Sequence, residues 1–207
     1  MKRNVSLILK ILLLQVLFIL EILLLVSCQS PRPSDGSLPV VIETMEGDIH
    51  LSLYPQKAPK SVTAFLSLVD KGVYKDARFY RVMNMDNQPS NAPKAEFVQG
   101  GVWGNGKKIK GLPTIPHETT AQSGIKHESG TISLARLEPG SADSEFFICI
   151  DDQPGLDYGG ENNPDGQGYA AFGKVIKGMD VVRRIYQKPD SEQYLDKPVL
   201  ILDIKRE

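Results

Sequence analysis

Two adjacent phenylalanines, Phe146 and Phe147, follow a loop of Gly, Pro, Ser and Asp in GTISLARLEPGSADSEFFICI, residues 130–150. Neighbouring side chains of a strand point to opposite faces, so one ring enters a core and the other is presented elsewhere. A flat ring beside a polar loop makes a shallow apolar pocket, a surface suited to proline. Other chemistries find less support. His50, His117 and His127 have no partner at metal-ligand spacing, and His117-Glu118 lacks the second histidine that a zinc motif needs one helical turn later. The acidic run DYGGENNPDGQG, residues 157–168, lacks the Asp/Asn alternation and distal glutamate of a calcium loop and reads as a surface turn. Cys149 lies in an apolar strand, where an inert buried thiol is expected. The expectation is therefore a site with no metal and no cofactor.

The elements that must position these residues are mostly strands. Val40–Thr44 and Ile49–Tyr54 alternate apolar and polar residues around Glu46-Gly47-Asp48, the pattern of a hairpin. Further strands are predicted at Arg78–Met83, Phe97–Gly100, Thr131–Leu134, Ser144–Ile150, Ala171–Ile176 and Val199–Ile204. A helix is predicted from Pro59 to Val69, where Val62, Phe65, Leu66 and Val69 recur at helical spacing and Gly72 suits the C-terminal cap. A second runs Met179–Gln187 with Val181, Val182 and Ile185 inward. Many strands, two helices far apart and no βαβ rhythm point to a mostly β protein, an antiparallel sheet closed into a barrel. Asn84–Glu96, a polar stretch, interrupts the pattern as an insertion between two strands.

Composition sets the remaining bounds. The chain has 207 residues and a formal net charge of −1, and no basic stripe runs along any element, so nucleic acid is not an expected partner. Lys2, Arg3 and Lys10 precede an apolar run, and Leu25-Val26-Ser27-Cys28 then resembles a bacterial lipobox. Residues 1–27 are read as a lipoprotein-type signal peptide. Cys28 becomes the acylated residue and 28–39 a Pro-rich tether, with the domain occupying 40–207. The competing reading is an uncleaved span from Val5 to Val26, against which Glu21 counts because a carboxylate in lipid is costly. Gln29 after the cysteine suits the periplasmic side of an outer membrane.

Five short blocks now fall in order: Phe79-Tyr80-Arg81, Gln99-Gly100-Gly101, Ser133-Leu134-Ala135, Ser144-Glu145-Phe146-Phe147 and Ala171-Phe172-Gly173-Lys174-Val175. Together they resemble the cyclophilin family of peptidyl-prolyl isomerases, from about Val40 to Ile204. The resemblance implies a closed eight-stranded antiparallel barrel capped by two α-helices, with an active groove on its outer face. It implies Arg81 as the catalytic arginine and Gln99 beside it. It also implies Ala135 as the groove residue beside the substrate backbone, Phe147 as the wall of the proline pocket, and Leu156 as its rim. Phe97 and Tyr169 complete the substrate-binding set, Tyr169 where many members carry histidine. The implied partners are proline-containing polypeptides and, through the lipid, a membrane, with the chain acting as a monomer.

That chemistry suits the residue types. Rotation about a peptide bond faces a barrier of about 18–20 kcal/mol, and no covalent bond has to break. Binding the twisted amide better than either planar isomer is sufficient. A guanidinium can donate to the amide nitrogen as its lone pair leaves conjugation.

Three positions depart from the family pattern. Glu96 stands where a pocket phenylalanine is usual, although an extended Phe97–Gln99 puts Phe97 on the groove face. Glu145 replaces a glutamine. Gly155 stands where an indole is common, and Trp103, the single tryptophan, is placed elsewhere. These departures keep a second function open: a non-catalytic proline-peptide-binding or chaperone module. A third, a structural lipoprotein docking partners through 84–96, rests on the insertion alone.

Overall fold

The computed structural model describes residues 36–207 and, before them, only Gln15. The expected signal peptide, Cys28 and most of the tether lie outside the described residues. The strands are β1 Leu38–Thr44, β2 Gly47–Leu53, β3 Ala77–Met83, β4 Phe97–Gly101, β5 Thr131–Leu134, β6 Phe146–Cys149, β7 Ala170–Lys177, β8 Asp190–Ser191 and β9 Tyr194–Arg206. Among the described residues there are two helices of two turns or more, α1 Pro59–Asp70 and α4 Met179–Tyr186. Two single-turn helices lie between them, α2 Gly106–Ile109 and α3 Thr120–Ser123.

Eight strands run in the order β1-β2-β7-β5-β6-β4-β3-β9, and β9 pairs back with β1 to close the wall. Every pairing is antiparallel. This is the expected barrel, and closure removes the free edges that an open sheet exposes. The amphipathic stripes place the helices: α1 buries Val62, Phe65, Leu66 and Val69, and α4 buries Val181, Val182 and Ile185. Phe65 meets Tyr74, Phe146 and Phe172 at centroid distances of 5.1–5.9 Å, an aromatic centre inside the barrel.

Two features differ from the sequence-based expectation. β9 begins at Tyr194 rather than Val199, and a short hairpin folds β8 onto it. Its turn residues Glu192 and Gln193 hold φ of 51° and 77°. No apolar alternation marks this polar stretch, so the pattern that reveals other strands is silent there. β6 is shorter than expected, with Ser144 and Glu145 lying before it. The insertion 84–96 is a folded flap. Gln88 exchanges hydrogen bonds with Ala95 through its side-chain amide, at 2.8 and 3.0 Å. Asn87 Nδ2 donates to Asp190 at 2.9 Å, and Gln193 Nε2 donates to the Asn87 carbonyl at 3.2 Å, tying the flap to the β8–β9 hairpin.

Candidate active site

The groove is built on an irregularity in β3. Phe79 pairs with Gly100 of β4, but the next partnered residue, Arg81, pairs with Gln99, leaving Tyr80 as an extra residue in a β-bulge. Strict alternation would send Tyr80 and Arg81 to opposite faces. The bulge instead lets both line one groove on the outside of the wall, while Phe79 stays in the barrel core. The groove encloses about 370 Å³, within the roughly 300–1,000 Å³ of small-ligand sites.

Arg81 is held on several sides. Nη1 donates to Gln99 Oε1 at 2.9 Å, Nε to Gln193 Oε1 at 3.1 Å, and Nη2 to that same oxygen and to Met83 Sδ. A guanidinium has five N–H donors, so four are engaged and one Nη1–H is left over among the described residues. The chain continues beyond Gln99, whose Nε2 donates to Tyr80 Oη at 2.6 Å, and Tyr80 in turn donates to Glu145 Oε2 at 2.8 Å. Burial, with the adjacent Glu145 charge, pushes the Tyr80 phenol far above its ordinary range, so it serves only as a proton-bearing link.

The floor is apolar and separate from the barrel core. Ala95, Phe97, Phe147, Cys149 and Leu156 form a small buried cluster, with Met83, Ala135 and Tyr169 packed against it. β6 alternation explains its existence: Phe146 points into the barrel, and Phe147 points outward into this cluster. Phe97 lies 4.7 Å from Phe147, and Tyr169 stands edge-on to it at 5.2 Å. Burial raises the Cys149 thiol, which acts as an inert floor residue.

Behind Phe147 lies a buried polar relay. His127 is stacked on the ring at 5.9 Å. Its Nδ1 meets Asp157 Oδ1 at 2.9 Å, and its Nε2 meets the Ser133 hydroxyl at 3.0 Å. Burial works to raise the Asp157 carboxyl, but hydrogen bonds from the His127 ring and backbone N–H outweigh it and hold it below its ordinary range. The order Asp-His-Ser mimics a nucleophilic triad, yet Ser133 is wholly buried. It fixes the wall and reaches no substrate.

The three departures have local explanations. The Glu96 carboxylate accepts from the Tyr186 hydroxyl on α4, away from the groove. Glu145 touches the groove, but its oxygens are taken by Tyr80, by the Val102 backbone N–H at 2.8 Å and by Ser144 Oγ at 3.2 Å. A Cβ at Gly101 would collide with this carboxylate, so the Gly-Gly pair after Gln99 makes room for it. At Gly155 a Cβ would collide with Asn162 Oδ1, so loop 157–168 fills the place of a larger side chain. The same loop is pinned by Arg136, which grips Asp165 at 2.7 and 2.9 Å and lies 5.4 Å from the Tyr169 ring.

Of the residues expected from sequence, Arg81, Gln99, Phe97, Ala135, Phe147 and Tyr169 line one groove. Leu156 does not form a rim; it is buried in the floor cluster. Trp103, placed elsewhere by the sequence reading, lines the groove beside Tyr80 and Tyr194. Gln193 and Tyr194 went unseen because they sit on a hairpin without periodicity, more than a hundred residues from Arg81. The bulge at Tyr80 likewise leaves no mark in the sequence. His50 and His117 bind Glu207 and the Gln167 carbonyl and lie apart from the groove lining.

Comparison with known proteins agrees with this geometry. Residues 39–206 match the family model for cyclophilin type peptidyl-prolyl cis-trans isomerases. The chain is 39% identical to peptidyl-prolyl cis-trans isomerase A of Dickeya dadantii over 150 residues, covering 72% of this chain and 70% of that protein. It is 35% identical to peptidyl-prolyl cis-trans isomerase B of Escherichia coli over 147 residues, 70% of this chain and 82% of the relative. The fold matches a crystal structure of a Cryptosporidium parvum cyclophilin type isomerase with a TM-score of 0.64 at 24% identity, covering 83% of this chain and 98% of that one. An outward aromatic floor, a clamped arginine over it and a closed barrel beneath it agree with these matches, and the chain belongs to the cyclophilin-type peptidyl-prolyl cis-trans isomerases.

Proposed function

We propose that this chain accelerates rotation about Xaa-Pro bonds in exported or envelope polypeptides, one chain acting alone. The observation that carries the reading is the juxtaposition of Arg81, with one uncommitted N–H, and the apolar floor of Phe97 and Phe147 in a single groove. The proline ring seats on that floor, which keeps the ring still while the preceding carbonyl swings. As the bond twists, the nitrogen becomes a hydrogen-bond acceptor, and the Arg81 guanidinium meets it. The clamp by Gln99 and Gln193 means that little reorganisation is required at the top of the barrier. Only the twisted state makes this bond, so it lowers the barrier rather than merely tightening binding.

For location, we infer lipidation at Cys28 and a periplasm-facing membrane surface, supported by the lipobox-like Leu25-Val26-Ser27-Cys28. Mass spectrometry of the envelope-extracted protein would show the acyl groups, and their absence refutes this part. For activity, NMR exchange on a peptide with one Xaa-Pro bond decides. Acceleration that is lost in Arg81→Ala is expected; no acceleration, or full rate in that variant, refutes the assignment. The binding-only alternative rested on Glu96, Glu145 and Gly155, and each has a packing role that leaves the floor apolar.

A further inference from the structure

We propose that Trp103, Tyr194 and Tyr80 form a second subsite of the groove, an aromatic shelf for a flat side chain two residues from the isomerised proline. Its ligand class is Phe, Tyr, Trp or a further Pro. The inference rests on the isomerase reading, to which it adds a sequence preference. Trp103 stacks on Tyr80 at 5.0 Å and on Tyr194 at 5.3 Å, with interplanar angles of 20° and 26°. The two phenols are 6.5 Å apart and within 18° of parallel, so one indole spans both. Yet Trp103 remains 56% exposed and Tyr194 45% exposed.

An exposed indole of this kind normally gains by folding onto apolar surface. Here the backbone holds it out. The Glu145 carboxylate takes the place of a Gly101 side chain, accepts from the Val102 N–H, and accepts from Tyr80 as well. One half-buried acid thus fixes the strand exit that carries Trp103 and the ring beneath it. Tyr194 arrives from the other side, directly paired with Arg81 across β3 and β9. The shelf is therefore adjacent to Arg81 along the wall, since the Cα atoms of directly paired residues lie about 4.5–5.5 Å apart, and both line the same groove.

The shelf is also continuous with the groove. Trp103 and Tyr80 line both the groove of about 370 Å³ and a neighbouring cavity of about 610 Å³, forming the ridge between them. A polypeptide leaving the proline floor on that side crosses this ridge. Extended chain rises roughly 3.3 Å per residue and shows alternate side chains on one face. A residue two removed from proline is then about 7 Å away and points the same way, comparable to the ring spacing of the shelf.

The test uses alanine-based peptides with one Xaa-Pro bond and a single Phe placed two residues before or two residues after the proline. In the unmodified protein, kcat/KM for one of the two Phe peptides should exceed the all-Ala peptide by about two- to tenfold, the range of an aromatic contact. That ratio should fall to about one in Trp103→Ala and persist in Trp103→Phe, which guards against misfolding as the cause. Because Trp103 is the single tryptophan, its emission reports the shelf directly. The favoured Phe peptide should shift it, the all-Ala peptide should not, and the shift should survive in Arg81→Ala. Equal kcat/KM for all peptides, a preference that persists in Trp103→Ala, or emission unmoved by either Phe peptide overturns the shelf. Absence of any acceleration overturns the isomerase reading instead, and the emission contrast then still decides the shelf.

Discussion

Gln193→Ala offers the sharpest probe of how the groove holds its arginine. One side-chain oxygen of Gln193 accepts from both Nε and Nη2 of Arg81, half of the four engaged donors. An arginine side chain carries about 2 kcal/mol of rotamer entropy, most of it at the torsions these bonds fix. Removing the oxygen leaves Gln99 and the weak Met83 acceptor, so re-ordering the guanidinium in each transition state should cost about 1–2 kcal/mol. That is roughly a five- to thirtyfold fall in kcat/KM. Arg81→Ala should fall further, by about two to three orders of magnitude, the loss typical of one transition-state donor. The change should sit in kcat rather than KM, because proline seats on the floor without help from Gln193. Gln193→Glu keeps the accepting oxygen while losing the donor to the Asn87 carbonyl, so most of the rate should return. The double variant with Arg81→Ala should be no slower than Arg81→Ala alone. NMR exchange on a single Xaa-Pro peptide gives both constants. A Gln193→Ala rate within twofold of the parent, or a loss confined to KM, would refute the clamp.

Other perturbations give clear directions. Burial holds the Glu145 carboxyl above its ordinary range despite hydrogen bonds from Tyr80, Val102 and Ser144. A raised folded-state value means its contribution is most favourable below the unfolded carboxylate value, about 4.3, and declines as pH rises through the folded value. Glu145→Gln removes that decline, so urea unfolding at about pH 4.5 and about pH 7 should show the variant gaining on the parent at the higher pH; a gain at the lower pH contradicts the sign. Phe147→Ala deletes a ring that is 1% exposed and should lower unfolding free energy by about 3–5 kcal/mol, read from denaturant midpoints, with Phe147→Leu retaining stability but losing proline affinity. The Tyr74 hydroxyl is buried without a partner among the described residues. Tyr74→Phe should therefore stabilise the fold by about 1 kcal/mol, and a lower melting temperature would show that the hydroxyl is satisfied in solution.

Much of the framework is legible in the sequence because it depends on burial periodicity. The eight wall strands, the stripes of α1 and α4, and the opposed directions of Phe146 and Phe147 all follow from alternation or helical spacing. What escapes is set by tertiary pairing. A one-residue register slip in β3 moves Tyr80 into the groove, and nothing in Phe-Tyr-Arg announces it. Leu156 looked like a rim residue but the turn at Pro154–Leu156 drops it into the floor. The polar insertion 84–96 carries no apolar pattern, yet Asn87 within it braces the hairpin that holds Arg81. Polar segments satisfied by distant polar segments leave no local signature.

The closure of the wall has a consequence for how this protein is made. The first strand is sealed by the last, in pairs such as Ile42 with Ile204, and Glu43 grips Lys205 across 162 residues. A chain emerging from the ribosome shows β1 and β2 long before β9 exists. Until then the seam is open and β1 has one unpaired flank, the kind of edge that invites other chains. The same late strand brings Gln193 and Tyr194, so structural closure and assembly of the groove are one event. Such long-range closure is slow to find. A nascent copy thus has no complete groove until its final strand has docked.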